Sequence, residues 1–167
     1  LTDKTPPNPT SEFDPALRLL PCPVTVLGAA AGDMTGGLTA AWVTRVSLDP
    51  PLLLVSVGHE RFTYGLMNES AQFTVSLLAE GQVDQARLFG LESRRDVDKW
   101  AQVDHDLLGE GVPAFRTCAA RFLCATERVF RTGDHDCFVG RVLTAEIVAG
   151  APALPMRGKD YAPRSEA

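Results

Sequence analysis

Cysteine is scarce in this chain, and histidine scarcer. The 167 residues include four cysteines, Cys22, Cys118, Cys124 and Cys137, and three histidines, at positions 59, 105 and 135. No C-x-x-C pair occurs and the histidines complete no zinc spacing, so no metal site is expected. The cysteines read as reduced thiols, mostly buried. Positive charge is thin as well. Sixteen Lys and Arg against 21 Asp and Glu give a net charge of −5, and the basic residues are scattered. A phosphate backbone needs clustered cations, so nucleic acid is excluded as a partner. There is no run of about 18 apolar residues to cross a membrane, and the opening "LTDKTPPNPTSEFDP" lacks the apolar core of a signal peptide. The expected location is the cytoplasm. There is also no G-x-G-x-x-G, the mark of a separate dinucleotide-binding domain.

What the chain does have is 45% hydrophobic residues, enough for one core without staples. Residues 1–15, rich in proline, read as an N-terminal arm, 16–150 as a single domain and 151–167 as an irregular tail. Three β-rich runs open the domain, Val24 to Ala31, Leu38 to Ser47 and Leu52 to Gly58, with Gly36-Gly37 punctuating the start of the second and Pro50-Pro51 its end. Phe62, Leu66 and Met67 then recur at helical spacing. The strand "FTVSLLA" follows, and after it a helical "QVDQARLFG" that closes on Gly90. A polar passage ends near Gly111. Two long β-runs, "AARFLCATERVF" and "CFVGRVLTAEIVAG", are joined by the turn "RTGDHD". Strands outnumber short helices and no β-α-β alternation is sustained, so the predicted fold is mainly β, an antiparallel barrel, closed or nearly so, with short peripheral helices. Gly140 marks a bulge or a close approach to the backbone.

Four polar segments interrupt this frame. "SVGHERFTYG" places Ser56, Gly58, Arg61 and Thr63 at a helix start, where free N–H groups, a hydroxyl and a guanidinium suit a phosphate. The plainer alternative is that Thr63 or Glu60 caps the helix and Arg61 is a solvated charge. "GLTAAWVTRVSLDPP" offers the small side chains Thr39, Ala40 and Ala41, against which a flat heteroaromatic ring can lie, or else a plain core strand. "LFGLESRRDVDKW" supplies Ser93, Arg94, Arg95 and Lys99 in an otherwise acidic chain, either an anion site or a solvated face. "TGDHDCFVG" sets His135 between Asp134 and Asp136, carboxylates that would orient it and favour its protonation. Cys137 has no positioned base in its segment and is discounted as a nucleophile.

Taken in order, "PCPVTVLGA", "GLTAAWVTRVSLDPPLLLVSV", "FTVSLLAEGQVDQARLFG", "DVDKW" and "GDHDCFVGRV" resemble the flavin reductase-like family of the FMN-binding split-barrel fold, including its flavoredoxin-like branch. The resemblance implies a homodimer with a noncovalent flavin, FMN with FAD as the alternative, in a groove near the subunit interface. It also implies reduction of that flavin by NADH or NADPH. Thr39, Ala40, Ala41, Trp42 and Ser47 then match positions along the isoalloxazine and ribityl chain. Ser56, Val57, Gly58, Arg61, Phe62 and Thr63 match the phosphate-binding turn, although the chain reads "HERFT" where many relatives have a Ser- or Asn-rich run. Phe89, Gly90 and Ser93 fall at the groove, Lys99 toward its phosphate end, and His135 where nicotinamide approaches. The expected activity is an NAD(P)H:flavin oxidoreductase that supplies reduced flavin to a monooxygenase or another acceptor. The alternatives are a flavoredoxin-like electron carrier without NAD(P)H activity and a non-enzymatic flavin-binding protein.

Overall fold

Runs rich in Val, Ala, Thr and Leu form the strands of a computed structural model that describes residues 14–93 and 96–157. In chain order the elements are α1 (Asp14–Leu17), β1 (Thr25–Ala31), β2 (Met34–Ala40), β3 (Val43–Ser47), β4 (Leu52–Gly58), α2 (Phe62–Glu69), β5 (Gln72–Leu77) and α3 (Val83–Leu91). A 3-10 turn (Trp100–Gln102) follows, then β6 (His105–Leu108), β7 (Val112–Phe115), β8 (Ala120–Thr132) and β9 (His135–Ile147). Seven strands make one antiparallel sheet in the order β2-β1-β5-β8-β9-β4-β3, and β6-β7 form a separate hairpin. The edge strands β2 and β3 share no ladder among the described residues. One buried cluster nevertheless joins Leu38 and Ala40 of β2 to Val55 and Val57 of β4, with Leu27, Phe73 and Phe138 between them. The sheet therefore curls around a single core and stays open at one seam, as a split barrel does.

After Thr25, whose hydroxyl donates to the Ala40 carbonyl at 2.8 Å, β1 is apolar because it is buried on both faces. Leu27 and Ala29 enter the barrel, whereas Val26 joins a second cluster outside it with Leu78, Ala86, Phe89, Trp100 and Phe115. Phe89 lies 4.7 Å from Trp100 and 5.3 Å from Phe115, ring centre to ring centre. Each such ring stabilises the fold by about 1.5–3 kcal/mol through burial, with about 0.5–1.5 more per aromatic pair. That anchoring pins the C-terminal end of α3 against β2. Residues 152–157 run beside β1, where Leu154 exchanges backbone hydrogen bonds with Val24 and Leu78. The first thirteen residues of the N-terminal arm and residues 158–167 of the tail lie outside the described residues.

Three expectations need correction. The run Leu38 to Ser47 is two strands, because the chain leaves β1's side of the sheet at Ala41-Trp42 and joins β4 on the other. The Val43 N–H turns back to the Ala41 carbonyl and the Ser56 N–H donates to the Trp42 carbonyl, both at 3.0 Å. Nothing in the propensities of Ala, Trp and Val marks that transfer between edges. Gly36 and Gly37 sit inside β2 instead of punctuating it, and the polar passage before Gly111 contains the 3-10 turn and half of the β6-β7 hairpin. Gly140 does border a bulge, at Glu127 between Thr126 and Arg128 of β8. The group approaching it is the core ring of Phe73, whose Cζ would lie 2.5 Å from an added Cβ.

Candidate flavin site

Where β4 ends, the chain folds over itself, with the Arg61 N–H on the Gly58 carbonyl at 3.2 Å, and α2 begins at Phe62. No side chain caps that helix. Thr63 is buried instead, and Glu60 pairs with Arg61 at 3.2 Å, so neither performs the capping that the plainer reading assigned. The positive end of the helix dipole is left facing a cavity of about 160 Å³, with Arg61 beside it. Gly37, Leu38, Phe62 and Thr63 wall one side, and Phe89, Leu91, Glu92, Ser93 and Lys99 the other. A Cβ on Gly37 would stand 2.8 Å from the Phe89 ring, so only glycine lets the aromatic press onto the strand here.

Lys99 is only 3% exposed, not part of a solvated face. Its ammonium donates to the Phe89 carbonyl at 3.2 Å and the Glu92 carbonyl at 3.0 Å, groups that end α3, and lies 5.2 Å from the centre of the Phe89 ring. A cation there complements the negative helix terminus and holds the Phe89-to-Ser93 wall in place. Six residues read separately from two segments, Arg61, Phe62, Thr63, Phe89, Ser93 and Lys99, thus share one pocket. Arg94 and Arg95 lie outside the described residues.

The strand read as a ring surface is more occupied with structure. The Thr39 hydroxyl donates to the Ala86 carbonyl at 2.6 Å, and an added Cβ on Gly90 would come to 3.4 Å from the Thr39 Cβ. These two positions join β2 to α3. Ala40 and Val57 point into the barrel core, so a ligand can meet them only through their backbone. Ala41 and Trp42, at the break between strands, border a second cavity of about 620 Å³ walled by Leu17, Leu20, Cys22 and Met156. Ser47 closes β3 opposite Leu52, about 16 Å along the strand from Trp42.

Trp42 also meets His135, ring centres 4.8 Å apart. In register, Gly58 faces His135 and Ser56 faces Cys137 across β4 and β9, so the histidine stands where the β4–α2 turn begins. Only one of its neighbouring carboxylates serves it. Asp134 accepts from His135 Nδ1 at 2.7 Å, while Asp136, on the opposite face of the strand, accepts from His59 Nε2 at 2.7 Å and from the Tyr64 hydroxyl at 2.8 Å. Alternation along the strand forces that separation. Hydrogen bonding holds both carboxyls below the usual aspartate range, Asp134 through His135 and Asp136 through His59 and Tyr64. The sequence reading missed the His59–Asp136–Tyr64 contact, although strand alternation could have placed Asp136 on the face opposite His135. Burial pushes the Cys118 thiol up to about 11 and the Cys124 thiol to about 12, leaving both protonated near neutrality.

With this geometry in hand, residues 17–163 match the model of the flavin reductase like domain. The chain belongs to that family. It is 40% identical over 160 residues to the reductase subunit Stc3 of stachydrine N-demethylase from Rhizobium meliloti, covering 90% of this chain and 67% of that one. It is 38% identical over 126 residues to a probable flavin reductase of the same organism, covering 74% of this chain but only 39% of its relative. The structure of the NADH:FAD oxidoreductase SgcE6 from Streptomyces globisporus, in complex with NAD and FAD fragments, superposes with a TM-score of 0.80 at 32% identity, over 96% of this chain and 95% of that one. Among the described residues no group of side chains could hold a metal ion, and no helix is long and apolar enough to cross a membrane.

Proposed function

We propose that this chain is an NADH-dependent flavin reductase, with the flavin phosphate end in the Arg61–Lys99 pocket and His135 at the nicotinamide side. The observation that carries the reading is the convergence of the Gly58-to-Thr63 turn with the Phe89-to-Lys99 segment on one cavity, in a chain of this family. The residues suit a flavin phosphate: a helix N-terminus without a side-chain cap, a half-exposed guanidinium and a buried ammonium offset Glu60 and Glu92 on the rim. When bound, the flavin supplies the acceptor for a hydride from the nicotinamide. The chain contributes position and electrostatics. Arg61 exchanges Glu60 for the phosphate, and Lys99 keeps the α3 end closed on it. Backbone groups of Ala40 and Ala41 offer donors and acceptors along the ring. His135, steered by Asp134 and packed on Trp42, orients the nicotinamide.

Onward, reduced flavin passes to an oxygenase component, as the likeness to a demethylase reductase subunit supports. A homodimer covers the exposed Leu17, Leu20 and Trp42 around the larger cavity, and sedimentation at micromolar concentration will return twice the chain mass. Four unpaired cysteines support a reducing compartment, the cytoplasm. The deciding experiment is anaerobic mixing of the flavin-loaded protein with NADH and with NADPH while flavin absorbance is followed. Bleaching by NADH supports the reductase. A flavin that stays oxidised with both nucleotides returns the chain to an electron carrier.

A further inference from the structure

A carboxylate beside an anion pocket works against the ligand, and Glu60 lines the 160 Å³ cavity next to Arg61. Its side chain is folded back onto the turn. Glu60 Oε1 lies 3.2 Å from Arg61 Nε, and its two carboxylate oxygens lie 2.9 and 3.0 Å from where a Cβ on Gly58 would stand. The carboxylate thus fills the space that Gly58 leaves open. It is drawn there by the guanidinium and by the positive end of α2, which begins at Phe62 and has no side-chain cap. The same two features suit a flavin phosphate, so Glu60 holds the place of the ligand's anion. Its hold is weak. The Glu60 and Arg61 side chains are 71% and 54% exposed, and an ion pair so open to water adds little stability. A phosphate with about two negative charges can displace a carboxylate with one, but Arg61 must first leave Glu60. Once released, the carboxylate swings into solvent, where it is screened.

We infer that Glu60 is an internal competitor for Arg61 that sets how firmly a flavin phosphate is held: it lowers the affinity for FMN, leaves that for riboflavin alone, and so keeps the phosphorylated flavin exchangeable. The inference rests on the proposed flavin site and adds to it a determinant of flavin retention. A reductase that hands reduced flavin to another component needs a flavin that can leave, whereas an electron carrier needs one that stays. Glu60 takes no part in hydride transfer. It acts on the equilibrium between free and bound flavin.

The test is fluorescence titration of flavin-free protein with FMN and with riboflavin, for wild type, Glu60→Gln, Arg61→Ala and the double variant. Glu60→Gln keeps the size of the side chain and removes its charge. It will tighten FMN about fivefold, the strength of one unit-charge pair at about 4 Å in water, and leave riboflavin unchanged. With Arg61 already replaced by alanine, the gain from Glu60→Gln will fall below about twofold, because the group competed for is gone. A gain in affinity cannot come from a misfolded variant. FMN binding that is unchanged or weaker in Glu60→Gln overturns the inference, and so does an equal gain for riboflavin. An undiminished gain in the Arg61→Ala background overturns it too, since the carboxylate would then act without Arg61. Failure of wild type to bind either FMN or riboflavin brings down the flavin site itself, a distinct result.

Discussion

Two histidine–aspartate pairs stand side by side at the start of β9, and they are built differently. In the His59–Asp136 pair the carboxylate side chain is 14% exposed and has two partners, whereas in the His135–Asp134 pair it is 73% exposed and has one. The bond lengths are the same, 2.7 Å. Shelter therefore separates them. Asp136 ties β9 to the β4–α2 turn and to α2 through Tyr64, so its loss would loosen three elements at once. The Asp134 carboxylate bonds only the neighbouring histidine at the hairpin tip, where solvent screens the pair. The sheltered pair is scaffold for the β4–α2 turn, and on the proposed function the exposed pair is a contact free to adjust to a ligand.

The sharpest way to break that contrast is His135→Ala. On the proposed function it lowers kcat/KM for NADH by up to about 100-fold, because a small misplacement of reacting atoms is costly, and leaves flavin affinity nearly intact. Rapid-mixing reduction of bound flavin over a series of NADH concentrations measures both. Wild-type rates would make the exposed pair as structural as the sheltered one, and the nicotinamide contact would move to Phe89 or Ser93.

Next in size is Arg61→Ala, on the sheltered side. Arg61 follows the turn that His59 and Asp136 hold, so its effect should fall on the phosphate and spare the ring. FMN binding is expected to weaken by about 1.5 kcal/mol, the low end for a charge-assisted hydrogen bond because the guanidinium is half exposed. Riboflavin, which has no phosphate, should bind as before. Equal losses in fluorescence titrations of the two ligands would show that Arg61 supports the turn only.

The difference between the pairs also shows what a sequence can disclose. Strands β1, β4, β5, β8 and β9, both helices at the site and the pocket residues Arg61, Phe62, Thr63, Phe89, Ser93 and Lys99 are legible because periodicity, helix starts and charge in an acidic chain are local signals. His59–Asp136 spans 77 positions and depends on β4–β9 register, which no local pattern reports. The break at Ala41-Trp42 escaped for the same reason, since it is set by the transfer of the chain between sheet edges and not by its residues. Lys99 was legible as a cation but not as a buried one. Its burial follows from the two α3 carbonyls it serves, a tertiary fact.

Acid should distinguish the pairs through stability. Both carboxyls are held below the ordinary aspartate value in the folded protein, so each contributes stability that is fully present above about pH 4 and lost as pH falls through the lowered folded value. Asp106, lowered by Arg121 and Arg116, adds to the same slope. Thermal melts of wild type will therefore be flat from neutrality to about pH 5 and fall below about pH 4. Asp136→Asn will lower Tm at neutral pH and flatten the acid slope, since the amide keeps the shape but not the charge-assisted bonds to His59 and Tyr64. A wild-type acid slope in this variant would show that the sheltered pair adds nothing to folding.

The smallest effect belongs to Asp134→Asn. Its carboxylate is mostly in water and sits next to its partner in the chain, so little is desolvated on folding and little is lost when the charge goes. Tm at neutral pH should match wild type within error, and the acid slope should change less than for Asp136→Asn. What should move is the nicotinamide step. An amide at 134 still reaches His135 Nδ1, but it can present either its oxygen or its NH₂ there, so the ring loses its fixed tautomer. KM for NADH is expected to rise about two- to threefold with kcat and flavin affinity little altered, the mark of a lost positioning contact in the bound state. Steady-state kinetics over a series of NADH concentrations will read this. A variant that melts lower yet reduces flavin normally would reverse the contrast, making the exposed pair the scaffold.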